Sequence, residues 1–144
     1  MPEVKKKTKE HESVLVLLQE AQEKFGYIPE DFMANVARSL DISLSEVFGV
    51  ATFYSFLTCK PLGRNVIRVC KSLPCCLKDA QMIIESVESE LRIKPGETTA
   101  DGKFSLTLTN CVGACDKAPA MMINDDTYTD LTPGKISQIL KKCK

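Results

Sequence analysis

Seven cysteines stand in a chain of 144 residues, and three of them fall in one short stretch, RVCKSLPCCLKD, residues 68 to 79. Cys70 and Cys75 make a C-x4-C pair, 35 residues intervene, and Cys111 and Cys115 make a C-x3-C pair. Cys59, Cys76 and Cys143 fit neither pair. Thiols in such numbers can hold a metal, form disulfides, act as nucleophiles or simply pack. An odd count would not be left by a closed set of disulfides.

If the two pairs meet, four thiolates crowd one volume, repel one another and need a positive centre. The irons of a [2Fe–2S] cluster take four cysteine thiolates. Zinc takes the same four, but its sites usually show short C-x2-C pairs, and neither pair here has that spacing. A thioredoxin-type dithiol needs C-x-x-C, which is also missing. A cysteine–histidine couple needs an imidazole held in place, and the one histidine, His11, lies in a polar stretch. Oxidising the adjacent Cys75 and Cys76 would close a strained ring. The spacing favours iron–sulfur, with zinc and a redox or purely structural role still open.

To bring the pairs together, the chain must place both at strand ends. Residues 65–70 (NVIRVC) read as a short buried strand that Cys70 closes. Residues 75–91 read as a helix that Cys75 opens, with Ile83, Ile84, Val87 and Leu91 on one side. Residues 104–110 (FSLTLTN) alternate with period two, a half-buried strand, and Cys111 follows at once. Neighbouring strands lie about 4.8 Å apart, so adjacent strand ends would converge the two loops. The start of the helix after Cys70 could aim N–H groups at sulfur. Gly113 opens a turn denied to other residues, and its amides could do the same. An apolar run at 120–124, a turn at Asp125-Asp126, a hairpin partner at 128–131 and a helix from Thr132-Pro133 complete an α/β domain over residues 65–144.

Ahead of it the grammar is helical. Val14, Leu15, Leu17, Leu18, Ala21 and Phe25 share one helix face, and Gly26 ends it. Pro29 with Glu30 and Asp31 starts a second helix. Ser43 and Glu46 form a capping box for a third, running to about residue 55. The expected organisation is a polar tail (1–12), a small helical bundle (13–58), a linker (59–64) and the α/β domain. The aromatic stretch FYSFL, residues 53 to 57, is either core or a docking surface.

Apolar residues are 44%, charged residues 26%, and formal net charge is zero. That balance argues against nucleic-acid binding, which rests on basic patches. No apolar run approaches the roughly 20 residues that span a bilayer, and the charged N-terminus lacks the apolar core of a secretory signal. A cytoplasmic protein is expected, where thiols stay reduced and clustered cysteines point to metal or redox work. The chain has no G-x-G-x-x-G, no P-loop and no general acid–base pair, so a non-catalytic role is expected.

Together, FGYIPED (25–31), ISLSEVFGVATFYSF (42–56), LGRNVIRVC (62–70), LPC (73–75), CVGACDKAPAMMIND (111–125) and LTPGKI (131–136) closely resemble the thioredoxin-like [2Fe–2S] ferredoxin family. That family supplies a small subunit to NADH dehydrogenase complexes, NAD(P)-linked hydrogenases and formate dehydrogenases. The resemblance implies a thioredoxin-like [2Fe–2S] domain preceded by a small N-terminal helical bundle. It implies one [2Fe–2S] cluster on Cys70, Cys75, Cys111 and Cys115, exchanging single electrons with an FMN- and NAD(H)-binding iron–sulfur flavoprotein subunit. A further catalytic subunit is also implied, as is a soluble complex or the cytoplasmic arm of a membrane complex. The alternative is a zinc-stabilised assembly subunit without redox role. Asp79 stands where the family often has Gly, and Asp116 where some members have a small apolar residue. An acid close to an anionic cluster would lower its potential.

Overall fold

The structure, a computed structural model, describes residues 13–143; the polar tail expected over residues 1–12 lies outside them. The chain divides into two compact units, the first ending at Pro61 and the second beginning at Leu62.

The first unit holds three helices: α1 (Val14–Phe25), α2 (Glu30–Leu40) and α3 (Leu44–Phe53). Leu18 and Ala21 of α1, Met33, Val36 and Ala37 of α2, and Val47 and Ala51 of α3 are buried. Ile28 joins Leu18, Val47 and the buried residues of α2 in one cluster, against which Cys59 packs. Gly26 ends α1 at φ 78°, donating its N–H to the Gln22 carbonyl at 2.8 Å. The Ser43 hydroxyl accepts from the Glu46 amide while the Glu46 carboxylate accepts from the Ser43 amide, so the capping box closes as expected. The Ser43 amide and hydroxyl, both donating to this carboxylate, hold the Glu46 carboxyl below its usual range. The Gln22 side chain ties down the segment after α3: its oxygen accepts from the Thr58 amide at 2.7 Å and its nitrogen donates to the Phe56 carbonyl at 2.5 Å.

α3 carries apolar residues well beyond one face, a pattern that ordinarily marks a helix covered on more than one side. Only one side is covered within its unit. Phe48 is 51% exposed and Phe53 77%, and Leu44, Tyr54 and Phe56 are exposed beside them. The FYSFL stretch is therefore largely surface in this unit. Phe25, which the spacing sets on the apolar face of α1, is also exposed.

The second unit is built on a four-stranded sheet of β1 (Asn65–Cys70), β2 (Phe104–Thr109), β3 (Met121–Ile123) and β4 (Asp126–Tyr128), in the order β2-β1-β3-β4. β1 runs parallel to β2 and antiparallel to β3, and β3 is antiparallel to β4. The parallel pair requires a crossover, supplied by α4 (Leu73–Cys76) and α5 (Ala80–Leu91). A final helix, α6 (Pro133–Lys142), packs with α5. Ile67, Val69, Leu106, Met121 and Ile123 of the sheet, Ile83 and Val87 of α5, and Ile136 and Leu140 of α6 form one core.

Two expectations are corrected. The helix expected over 75–91 is two helices, because Asp79 takes the left-handed conformation (φ 58°) and breaks the run. That conformation suits glycine, which accounts for a glycine preference at this site through backbone shape rather than charge. The hairpin turn lies at residues 124–125 and its second strand at 126–128, earlier than expected. Asn124, at φ 53°, makes the turn, as asparagine tolerates that region. Its side-chain oxygen also accepts from the Val66 amide at 2.9 Å. Gly63, expected in a linker, is fixed within the second unit: its N–H donates to the Ser105 hydroxyl at 2.7 Å. A Cβ there would lie 3.0 Å from the Phe104 backbone.

Candidate metal centre

Strand register sets the ends of β1 and β2, from which the loops of the two cysteine pairs depart, side by side. β1 and β2 are paired so that Cys70 faces Thr109, and the Lys71 amide donates to the Thr109 carbonyl at 2.9 Å. The loop carrying Cys75 and the loop carrying Cys111 thus leave the sheet side by side. The Cys70 amide donates to the Ala120 carbonyl at 3.2 Å, which draws in the return segment before β3. Small apolar residues line the junction: Cys70, Cys75, Ala80 and Ala120 are buried together, and Val112, Ala114 and Ala118 pack on them. Val112 and Ala114 alternate with Cys111, Gly113 and Cys115. Packing the first two inward fixes the course of the whole CVGAC loop.

The four sulfurs form two close pairs. Cys70 and Cys75 are both buried, and each thiol shifts the proton affinity of the other. Cys111 and Cys115 are exposed, with Sγ atoms 3.1 Å apart. Gly113, at φ 85°, donates its N–H to Cys111 Sγ at 3.3 Å, the turn and the bond anticipated from the sequence. The pairs also feel each other. Burial pushes the Cys75 thiol up to about 11, against the Ala120 amide and with the help of the Cys70 and Cys115 charges. The hydrogen bond with Cys111 raises the Cys115 thiol, as do burial and the charges of Cys111, Cys70 and Asp116. Burial also presses the Cys70 thiol upward, but the Ser72 amide, the Cys75 thiol, the Ser72 hydroxyl and the Val112 amide outweigh it and leave Cys70 below its ordinary value.

Thiols that shift one another's proton affinity, with the Gly113 amide donating to the Cys111 sulfur, match the donor chemistry of an iron–sulfur cluster. Among the described residues no group of three or more His, Cys, Asp or Glu side chains is placed to hold a single metal ion. The donors fall instead into a buried pair and an exposed pair.

The remaining cysteines lie apart from this group. Cys76 is exposed and donates to the Lys71 carbonyl at 3.3 Å. Cys59 packs on the first unit's core and Cys143 against the second's. The expected contribution of a long helix start is also corrected, since Cys75 sits in the four-residue α4. Its one turn carries little dipole, and the donors are individual amides. Sequence reading missed the Ser72, Val112 and Ala120 contacts. Ser72 reads as an ordinary helix cap, and backbone amides leave no residue-type signal. Asp116 acts on Cys115, whereas Asp79 does not figure among the leading influences on the thiols.

A family model described as thioredoxin-like [2Fe–2S] ferredoxin matches residues 2–144. The chain is 46% identical over 123 residues to a subunit of the NADH-quinone oxidoreductase of Escherichia coli (strain K12), covering 85% of this chain and 74% of that one. It is 36% identical over 127 residues to the HndA subunit of the NADP-reducing hydrogenase of Solidesulfovibrio fructosivorans, covering 88% and 74%. Among solved structures, a NAD+-reducing [NiFe]-hydrogenase in the air-oxidised state aligns with a TM-score of 0.70 at 23% identity, over 88% of this chain. This chain spans only 22% of that one, and the likeness is one of fold. No helix among the described residues is long and apolar enough to cross a membrane.

Proposed function

The chain belongs to the thioredoxin-like [2Fe–2S] ferredoxin family, and on that premise we propose that it is an electron-transfer subunit of a cytoplasmic NAD(P)H-linked oxidoreductase complex, with Cys70, Cys75, Cys111 and Cys115 holding its cluster. What supports this reading is that a loop with a buried thiol pair and a loop with an exposed one leave the adjacent ends of β1 and β2. A [2Fe–2S] cluster, when bound, supplies one-electron chemistry. The chain's own residues anchor and shield it. Cys70 and Cys75 fix one side within an apolar lining of Ala80, Ala120, Val112 and Ala114. Cys111 and Cys115, being exposed, form the side a redox partner can approach.

Hydride chemistry at NAD(P)H is assigned to a partner, since no nucleotide-binding motif is present in the chain. The partner we propose is an FMN-binding iron–sulfur flavoprotein subunit. The uncovered face of α3, with Leu44, Phe48 and Phe53 exposed, is the proposed contact, as apolar faces of this kind mark interfaces. Replacing Phe48 and Phe53 together with Glu is expected to remove the flavoprotein from the natively purified complex while iron content stays at the parental level. Co-purification with flavin and iron assays reads this. Retention of the flavoprotein at parental stoichiometry would contradict the assigned face.

Charge near the site should tune the potential. Asp116 raises the Cys115 thiol, and removing its charge should favour the reduced, more negative cluster. Asp116→Asn is expected to raise the midpoint, on the order of tens of millivolts at an effective dielectric constant of roughly 20. Asp79→Asn should leave the midpoint in place. Potentiometric titration followed by EPR distinguishes the two.

A further inference from the structure

Gly113 stands in the middle of the CVGAC loop at φ 85°. That conformation suits glycine and strains a residue with a Cβ. Packing does not call for the glycine. A Cβ built on Gly113 meets no atom within 4 Å, whereas one on Gly63 would lie 3.0 Å from the Phe104 backbone. What the conformation achieves is an orientation. Val112 and Ala114 pack on the small apolar group around Cys70, Cys75 and Ala120. Gly113 between them is exposed, and its N–H donates to Cys111 Sγ at 3.3 Å. One residue thus supplies both the turn and the donor, and its two packed neighbours hold it in place.

We infer that Gly113 is a positioning residue, its left-handed turn keeping the backbone N–H on the Cys111 sulfur so as to favour the reduced form of the cluster held there. The inference rests on the assignment of Cys111 as a ligand. Reduction adds negative charge to the cluster and its sulfurs. A donor aimed at one of those sulfurs stabilises that charge and raises the reduction potential. Cys111 is exposed, so water also reaches its sulfur. Water has to be oriented at each encounter, whereas the amide is already oriented by the fold.

The test compares the full chain, purified anaerobically, with its Gly113→Asn, Gly113→Ala and Gly113→Val forms by EPR-monitored redox titration and iron analysis. Asparagine tolerates the left-handed region, alanine less so, and branched valine least. The added Cβ enters open space, so the series grades backbone shape. The expected result is a midpoint near the parental one for Gly113→Asn, a more negative one for Gly113→Ala and the most negative for Gly113→Val. Equal midpoints for Gly113→Asn and Gly113→Val would overturn the role of the turn. Where the valine form loses its iron, equal midpoints for Gly113→Asn and Gly113→Ala would overturn it in the same way. A parental chain purified without iron would instead overturn the ligand assignment on which the inference rests.

Discussion

Full-length protein carrying Cys70→Ala is expected to purify without its iron and without its visible colour, whereas Cys76→Ala retains both. The contrast is informative because Cys70 and Cys76 lie in the same short stretch and differ in placement. Cys70 ends the central strand and is fully buried. Cys76 is exposed and bonded to the Lys71 carbonyl. Loss of an outer hydrogen-bond partner typically costs about 10–100-fold in metal affinity, and loss of a ligand should exceed that. The same pattern should hold for Cys111→Ala against Cys143→Ala. Iron analysis of each purified variant reads the outcome. Parental iron in Cys70→Ala would remove that residue from the ligand set.

The second large effect comes from the core behind the site. Ile67→Ala is expected to lower stability by about 2–5 kcal/mol, the usual range for truncating a buried isoleucine. Ile67 sits on the central strand with Leu106 beside it on β2 and Ile123 beside it on β3. All three are at most 3% exposed, so the deleted atoms leave a gap that neighbours on both sides cannot easily close. Because β1 also sets the position of Cys70, the variant should lose its iron at a lower temperature than the parent. Thermal unfolding by circular dichroism, with loss of cluster absorbance followed in parallel, measures both. A thermal midpoint within about a degree of the parent would contradict the core assignment, given shifts of several degrees per kcal/mol for a domain of this size.

Much of the site is legible in the sequence because its parts are written in residue types. Cysteine spacing, the period-two pattern of FSLTLTN and the branched run NVIRVC together place both pairs at strand ends, and the parallel register of β1 and β2 does bring those ends together. Gly113 announces its turn, which needs the positive φ it adopts. The helices of the first unit are equally legible: Gly26 and the Ser43–Glu46 box end and begin helices through local bonds that depend on a few neighbouring residues.

What is not legible depends on backbone choices that several sequences allow. Nothing in KDAQM requires Asp79 to turn left-handed, so one helix is expected where two occur. Asn124 and Asp125 are both good turn residues next to a third, Asp126, and only strand pairing fixes which of them make the turn. Ser72 is a fitting cap by type, yet its side chain makes no cap hydrogen bond. The aromatic stretch after Thr52 could equally be core, since aromatic side chains serve both cores and interfaces. Exposure of Phe53 in its own unit is what separates the two.

That the two cysteine pairs hold one [2Fe–2S] cluster is tested most directly by quantitation of iron, acid-labile sulfide and zinc in anaerobically purified full chain. The prediction is about two irons and about two sulfides per chain, with an EPR signal appearing on reduction. A colourless protein with about one zinc and no sulfide, the signature of a structural zinc site, would contradict it.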